Sequence, residues 1–497
     1  MRQTLRRSCA ACSKSKISCD LRTPRCSRCT KRKIQCDYAN QPWAPPVAPG
    51  AEPGALIKSV DAPGTLMDCS FGSLDPFDSY PQTRFPREQV QRLIYGFCCV
   101  YMASQLILLV LHKIAFQYYP LDMSTTSNPF LVSWWPLALG DPALFHVSLQ
   151  TACLDEELLA QKGFQSSELL MADSVALLRR KVENKSLAVQ DGTMNSVITL
   201  AAIEFGKGNI DVSKVHVDGV KKLVDMRGGI NSVRQTSPLT ARMISWVSML
   251  IMGHPQFNTQ DDIGFGDGIP CIPEWQLDTT ALDDSSGFNK NEVDYDVWNV
   301  FIRLRSVLQR TKQISFSSTH LHDLTCFVIH RLLLSISTSD PSQHSPITES
   351  LRYAIIIFML KIQGPTYYSH AVIMNTMASR FMESFRQLES IPRAYDSLDV
   401  WLVSVGLLIT TGTPNYTWFI ERAQVVSAYL QLSCFYDALG HIQDILWVET
   451  SQGEDFFQSH WNAVFDIEDI NDPMRLTPDS LQLTFCISPS ISSAEIL

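Results

Sequence analysis

Six cysteines stand close together near the start of the chain, and their spacing is suited to binding metal. In the segment CAACSKSKISCDLRTPRCSRCTKRKIQC, from Cys9 to Cys36, they follow the pattern C-x2-C-x6-C-x6-C-x2-C-x6-C. A C-x2-C pair can direct both sulfurs to one metal ion, and a tetrahedral zinc needs four ligands. Six sulfurs therefore serve two zinc ions only if two of the sulfurs bridge them.

The segment is internally repetitive, and the repeat predicts which cysteine does what. Each half reads C-x2-C-x6-C, so by symmetry the first cysteine of each half bridges the two metals. The other two cysteines of a half complete one zinc site. The predicted ligands are Cys9 (bridging), Cys12 and Cys19 from the first half, and Cys26 (bridging), Cys29 and Cys36 from the second.

Two other interpretations of these cysteines are a disulfide framework and a metal-storage protein. Disulfides need an oxidising compartment, whereas the chain begins MRQTLRRSCA, without the apolar segment of a secretory signal peptide. Other cysteines, such as Cys98, Cys153 and Cys326, are scattered through apolar segments, which is typical of reduced core thiols. Metal storage leaves the interleaved basic residues unexplained. The sequence therefore favours a zinc centre.

The cysteines are surrounded by positive charge. Residues 1–40 carry eleven Lys and Arg against two Asp, a side-chain charge of +9, which becomes +7 with two zinc ions and six thiolates. Because the whole chain carries −9, residues 41–497 carry −18. A small basic module on a large acidic body indicates a polyanionic partner for the module alone. Lys and Arg that neutralise phosphates drive binding to nucleic acids.

In this segment the sequence resembles the fungal binuclear zinc-cluster transcription factors. The resemblance rests on the cysteine spacing, on Asp20 after the third cysteine, on Pro24 before the fourth, and on the run CSRCTKRKIQCDY. It implies two short helices after the first and fourth cysteines, the first of which enters the DNA major groove. It also implies that Lys16 reads a CGG triplet with Lys14 beside it, that the partner is double-stranded DNA, and that the protein acts in the nucleus.

The chemistry of the basic residues agrees with that role. A Lys or Arg that donates to guanine N7 and O6 makes the commonest specific contact in the major groove. The other basic residues are expected mainly to position the module on phosphates. They are Arg22, Arg25, Arg28, Lys31, Arg32 and Lys33. Residues 1–40 are thus predicted to form a DNA-binding domain whose folding energy comes mostly from zinc.

Residues 41–86 contain nine prolines and are predicted to be an extended, disordered linker. Many relatives of the resembled family form DNA-binding dimers through a heptad coiled coil soon after the cluster. No such a/d repeat is present here. The module is therefore expected either to bind DNA as a monomer or to form a homodimer through the body of the chain.

Residues 87–447 show helical periodicity, which predicts a large all-α regulatory domain and a mostly α fold class. The segments DPALFHVSLQTA and HVDGVKKLVDMRGGI resemble the fungal-specific helical regulatory domain. The candidate helices are 142–161, 167–184, 192–205, 212–226, 293–312, 320–337, 347–362, 371–389, 398–411 and 416–447.

A histidine and an arginine in this region invite a catalytic interpretation. The pattern H-x2-G-x7-RGG spans His216, Gly219, Arg227, Gly228 and Gly229. No nucleophile or metal motif accompanies it, and the chain contains no P-loop, G-x-G-x-x-G, H-E-x-x-H or G-x-S-x-G pattern. We therefore expect helix packing and a tight helix end here, and a protein that is not an enzyme.

One segment conflicts with this picture. Residues 93–112 lack Asp, Glu, Lys and Arg over 20 positions, which is enough to span a bilayer. A buried core helix is the favoured interpretation, since Ser104 and Gln105 interrupt the apolar run. The alternatives are a membrane span and a translated intron over 98–115. We therefore predict that the protein does not interact with a membrane.

Residues 448–497 combine acidic and aromatic residues, and no Lys or Arg lies between Ala423 and Met474. This composition is typical of an activation segment that contacts the transcription machinery, or of an amphipathic helix of the body. We thus expect a sequence-specific regulator of RNA polymerase II genes. Its subfamily resemblance implies a secondary-metabolite gene cluster as the target. The alternative is a structural zinc module on a small-molecule-binding or enzymatic body, without DNA binding.

Overall fold

The computed structural model divides the chain into two units, Met1–Gly72 and Ser73–Leu497. The first unit contains two short helices, α1 (Ala10–Lys14) and α2 (Ser27–Arg32). Throughout the described ranges no strand occurs, and the expected all-α body is confirmed. The described residues are 10–15, 27–34, 80–95, 128–161, 163–276, 292–310, 317–338, 345–364, 370–448 and 451–465.

The N-terminal half of the body is built around one central helix. Its helices are α3 (Arg87–Tyr95), α4 (Trp135–Gly140), α5 (Pro142–Ala160), α6 (Gln165–Val182), α7 (Lys185–Ala188), α8 (Asp191–Gly206), α9 (Ile210–Met226), α10 (Ile230–Thr236) and α11 (Pro238–Met252). Helix α8 packs against α5, α6, α9 and α11. Every residue from Gly192 to Glu204 is buried. A helix that is apolar on all sides belongs in the interior, and its neighbours cover it.

Two fully buried helices organise the C-terminal half in the same way. Its helices are α12 (Tyr295–Arg310), α13 (Ser318–Thr338), α14 (Pro346–Gln363), α15 (Ala371–Glu389), α16 (Ser397–Thr410), α17 (Asn415–Leu430), α18 (Phe435–Ile445) and α19 (Ser451–Phe465). Helix α14 packs against α12, α13, α15 and α16, and α16 also contacts α17, α18 and α19. The residues from Ser350 to Leu360 and from Leu398 to Leu408 are all buried.

The helix expected over 416–447 is in fact two helices. Helix α17 ends at Leu430. The next residue, Gln431, has a left-handed backbone (φ +58°), and the Leu432 N–H donates to the Ser427 carbonyl at 2.9 Å. The Asp437 carboxylate then accepts from the Ser433 N–H at 2.8 Å and helps to start α18. No Gly or Pro lies at this break, so the sequence did not indicate that the helix ends there. The candidate helices predicted from periodicity also did not include α10 and α11.

The end of the predicted linker is ordered against the body. The Tyr80 ring stacks on Phe145 with centroids 5.5 Å apart, and the Arg84 Nε donates to Asp173 at 3.0 Å. Phe85 packs on the same small apolar cluster, in which α3 meets α5. This part of the chain was predicted to be disordered. It is ordered because the rings of Tyr80 and Phe85 bury apolar surface against the body despite the surrounding prolines. The rest of the linker, residues 41–79, lies outside the described residues.

Two aromatic residues of the predicted activation segment are internal. Phe457 and Trp461 of α19 are buried, and the Trp461 indole N–H donates to Ser404 of α16 at 2.9 Å. The body therefore extends past residue 447, to Phe465 at least. These two side chains lack the exposure that the activation interpretation requires, since the apolar face of α19 covers α16. Residues 466–497 lie outside the described part of the chain.

The uncharged segment 93–112, which is long enough to span a membrane, lies mostly outside the residues that the structure describes. In the ranges that it does describe, no helix is both long and apolar enough to cross a bilayer. Of the uncharged segment 93–112, only Leu93, Ile94 and Tyr95 are described, and Leu93 is buried in the cluster between α3 and α5. The proposed intron at 98–115 lies wholly outside the described residues.

A buried carboxylate connects the two halves of the body. Asp323 of α13 accepts hydrogen bonds from Arg234 of α10 at 2.7 and 3.1 Å and from Arg242 of α11 at 2.8 and 2.9 Å. Burial alone would raise the pKa of Asp323. The hydrogen bonds and charges of the two arginines outweigh burial and lower this pKa to about 2. The carboxylate is therefore ionised and doubly paired at neutral pH.

We predict that Asp323→Asn destabilises the body by roughly 3–5 kcal/mol, because it leaves two partly buried guanidinium groups without their counter-charge. The measurement is the urea midpoint of the full chain at pH 7, with exposed Asp218→Asn as the control. Because the folded pKa lies below the unfolded value, this stabilisation is present above about pH 4 and is lost as the pH falls towards 2. Equal midpoints for the two variants would contradict the assignment.

Helices α16 and α17 approach closely at a glycine. A Cβ atom on Gly406 would overlap ring carbons of Phe419. That ring cannot easily withdraw, because it packs against both Phe381 and Phe385 at centroid distances of 6.2 and 5.7 Å, in a cluster of three aromatic rings. Gly406 is thus required by packing and not by backbone conformation.

We predict that Gly406→Ala lowers the unfolding free energy by about 1–3 kcal/mol through overpacking of this cluster. Gly440, in α18, provides the matched control, because a Cβ atom there meets nothing within 4 Å. Alanine at 440 should stabilise the helix by about 1 kcal/mol, since glycine is a poor helix former. Opposite signs for the two variants in chemical denaturation are the expected result.

Candidate metal centre and nucleic-acid interface

The two halves of the cysteine segment adopt the same local structure. Helix α1 begins directly after Cys9 and α2 directly after Cys26, as the resemblance implies. Each helix carries a cysteine as its third residue, and both of these side chains, Cys12 and Cys29, are buried, at 3% and 1% exposure. Among the side chains of this unit that the structure describes, these two thiols are the buried ones.

Helix α2 ends in a complete Schellman motif. The Lys33 N–H donates to the Thr30 carbonyl at 3.2 Å, and the Ile34 N–H donates to the Cys29 carbonyl at 3.1 Å. Lys33 itself has φ +54°, a left-handed conformation that usually belongs to glycine. The motif thus places a charged side chain where the backbone favours a residue without a side chain.

The 17-residue offset between the halves relates basic residues in pairs. Lys14 corresponds to Lys31, and Lys16 corresponds to Lys33. The side chains of Lys14, Lys31 and Lys33 are exposed, whereas the cysteines of the same helices are buried. Cysteines directed inward and lysines directed outward are the arrangement that a metal-held, polyanion-binding module needs.

Several predicted site residues lie outside the described part of the chain. Of the described ones, Arg32 is exposed and Arg28 is half-buried. Among the described residues no group of three or more His, Cys, Asp or Glu is arranged to hold a metal ion. This is expected, because only two of the six cysteines are among them. The predicted site residues that lie outside the described part of the chain are Cys9, Cys19, Cys26 and Cys36 among the zinc ligands, and Lys16, Arg22 and Arg25 among the basic residues.

The donor chemistry of the module fits zinc. Thiolates are soft ligands that zinc accepts in tetrahedral structural sites. Buried, uncharged thiols would add little stability to so small a unit, whereas thiolates bound to metal would hold its two helices together. The basic residues have an alternative role that does not involve DNA. Lys14, Lys31 and Arg32 lie in the last turns of their helices, where cations stabilise the helix dipole.

The H-x2-G-x7-RGG pattern of the body forms a structural corner. Arg227 pairs with Asp191 at the start of α8, and its guanidinium donates to Thr236 at 2.6 Å and to Ser237 at 2.9 Å. The Ser237 hydroxyl also donates to Asp191, at 2.7 Å. These contacts tie the end of α9 to the starts of α8 and α11, so Arg227 has a packing role.

The two glycines after Arg227 complete the corner. Gly228 and Gly229 have φ +95° and +92°, and a Cβ atom on Gly229 would overlap the Asp267 carboxylate. His216, earlier on α9, is half-buried, and this burial lowers its pKa despite the opposing charge of Glu204. The pattern therefore produces the tight helix end that the sequence predicts.

Comparison with known protein families agrees with this division of the chain. Residues 7–43 match the fungal Zn(2)-Cys(6) binuclear cluster domain, and residues 111–253 match the fungal specific transcription factor domain. No curated protein and no solved structure matched the chain. The cluster domain binds two zinc ions. The second match covers both segments singled out in the body and ends at the residue that follows α11.

We predict that the purified full chain contains two zinc ions and that Cys12→Ser and Cys29→Ser each lower the zinc content, because each removes a ligand from one site. Cys434→Ser is the control, since Cys434 is an exposed cysteine of the body, far along the chain from the cluster. Elemental analysis of the three variants measures the effect. Full zinc content in both cluster variants would contradict the ligand assignment.

Proposed function

We propose that this chain is a fungal transcription factor with a zinc cluster and a helical regulatory domain, and that it binds CGG-type triplets of double-stranded DNA in the nucleus. Lys16 is the base-reading residue in this proposal. The other basic residues of the module contact phosphates. The observation that carries the proposal is the arrangement of α1 and α2, in which Cys12 and Cys29 are buried while Lys14 and Lys31, two positions further along each helix, are exposed.

The zinc ligands are part of the same proposal. All six cysteines bind the two zinc ions, with Cys9 and Cys26 bridging. The buried positions of Cys12 and Cys29 support this assignment. The repeat extends the ligand assignment to the other four cysteines, because each half has the same spacing and a short helix that begins directly after its first cysteine.

Lys33 supports the role given to Lys16. It is the equivalent residue of the second half, and it is exposed at the end of its helix in a conformation fixed by two backbone hydrogen bonds. A lysine held in this way extends beyond the helix end, where it can reach a base edge or a phosphate. The resemblance implies that the base contact belongs to Lys16 in the first half, so in this proposal Lys33 contacts a DNA phosphate.

The helical body is proposed to regulate the module and to form a homodimer where the target contains paired triplets. Both matched families are those of transcription factors, which are normally not enzymes. The target is proposed to be a secondary-metabolite gene cluster, on resemblance alone. Recruitment of the transcription machinery is assigned to the acidic C-terminal segment beyond Phe465, because Phe457 and Trp461 before it are buried.

The test is selection of the zinc-loaded full chain against a randomised duplex library, with and without a chelator. Enrichment of CGG that disappears with chelator is the expected result. Paired triplets at a fixed spacing would indicate the homodimer. Absence of enrichment would favour the second candidate, a structural zinc module on a helical body that does not bind DNA.

We predict different effects for the two equivalent lysines. Lys16→Ala should cost about 1–3 kcal/mol of binding at one CGG triplet and relax its specificity. Lys33→Ala should weaken all sequences alike and reduce the slope of log affinity against log salt by about 1. Titrations at several salt concentrations measure both. If Lys16→Ala behaves like Lys33→Ala, Lys16 does not read a base.

A further inference from the structure

One end of the C-terminal half collects polar groups that the fold does not use. Lys361 lies in the last turn of α14, and His370 precedes α15 directly. Tyr416 lies in the first turn of α17 and contacts His460 of α19. Helix α14 packs against α15, α17 packs against α19, and the charge of Lys361 acts on both His370 and His460, so four helices contribute polar side chains to one end of the bundle.

The lysine of this group lacks a counter-charge. Lys361 is half-buried, and this burial lowers its pKa. No described carboxylate forms an ion pair with it, in a body whose overall charge is strongly negative. The charge of Lys361 also acts on both histidines, since it adds to burial in lowering the pKa of His370 and of His460 to about 4. Lys361 is thus the cation of the cluster at neutral pH.

The neighbouring groups offer unused hydrogen bonds. The His370 Nδ1 atom is buried and has no hydrogen-bond partner within the described structure. The Tyr416 hydroxyl and His460 Nδ1 are 2.9 Å apart. Whichever of the two donates, the pair retains one further N–H or O–H that can donate to a ligand.

Two helix N-termini reinforce the positive character of this end. Helices α15 and α17 begin here, and their N-cap residues, His370 and Pro414, provide no side-chain hydrogen bond to the first turn. Backbone N–H groups at such ends carry partial positive charge and favour anions. They act here in addition to a lysine that already lacks a partner.

We propose that this end of the body binds the carboxylate or phosphate group of a small anionic ligand. Lys361 supplies the charge. His370, His460 and Tyr416 supply hydrogen bonds. The ligand replaces the counter-charge that the fold omits, and it connects α14, α15, α17 and α19. A small anionic metabolite bound here would stabilise the C-terminal half of the regulatory body. The proposal does not depend on how the zinc cluster reads DNA, so failure of the DNA selection would leave it intact.

The experiment measures the unfolding temperature of the zinc-loaded full chain during titration with inorganic phosphate and, separately, with succinate at constant ionic strength. A saturable increase with one of them identifies the chemical class of the ligand. We predict that Lys361→Met weakens the binding of that anion at least about tenfold, since a charge-assisted hydrogen bond is lost. Lys222→Met, at an exposed lysine of α9, should respond like the unsubstituted chain.

Two further readouts separate a binding role from a structural one. Without the anion, Lys361→Met should unfold at the same temperature as the unsubstituted chain or higher, because a desolvated, unpaired charge has been removed. Tyr416→Phe keeps the ring but removes the hydroxyl and should also weaken anion binding. The proposal is overturned if neither anion gives a saturable response, if Lys361→Met responds like Lys222→Met, or if Lys361→Met alone is destabilised without anion.

Discussion

Three helices that are buried along most of their length organise the body. Most residues of α8, α14 and α16 are buried, so each of these helices is enclosed by several others. Their neighbours are amphipathic and carry the charge of the protein on their outer faces. The same constraint draws α19 into the core, where Trp461 reaches Ser404 across the surface of α16. Acidic composition near the end of the chain did not prevent this burial.

The N-terminal module obeys the opposite constraint. Among its described residues, 10–15 and 27–34, the buried side chains are those of two cysteines, Cys12 and Cys29. Metal binding therefore replaces the hydrophobic effect as the source of folding energy. This leaves the outer faces of α1 and α2 free to carry positive charge, which a module dependent on apolar packing could not concentrate so densely.

The helical body is a larger unit than the family match within it. The match ends at Gly253, yet Arg234 and Arg242 inside the match are paired with Asp323 outside it. Helices α11 and α13 are also in contact, so ion pairs and packing join the matched half to the C-terminal half. The anionic site proposed around Lys361 lies in that C-terminal half.

The sequence by itself determined the parts that depend on local pattern. Cysteine spacing indicated the zinc cluster, the family resemblance implied the positions of α1 and α2, and apolar periodicity located helices such as α9, whose Val217, Val220 and Val224 are buried. Tertiary structure decided what depends on distant partners. It divided 416–447 at Gln431, ordered Tyr80 against Phe145 and buried Trp461. It also brought together Lys361, His370, Tyr416 and His460, which lie up to 99 positions apart. No local pattern records such contacts, because packing between helices and not their own residue periodicity creates them.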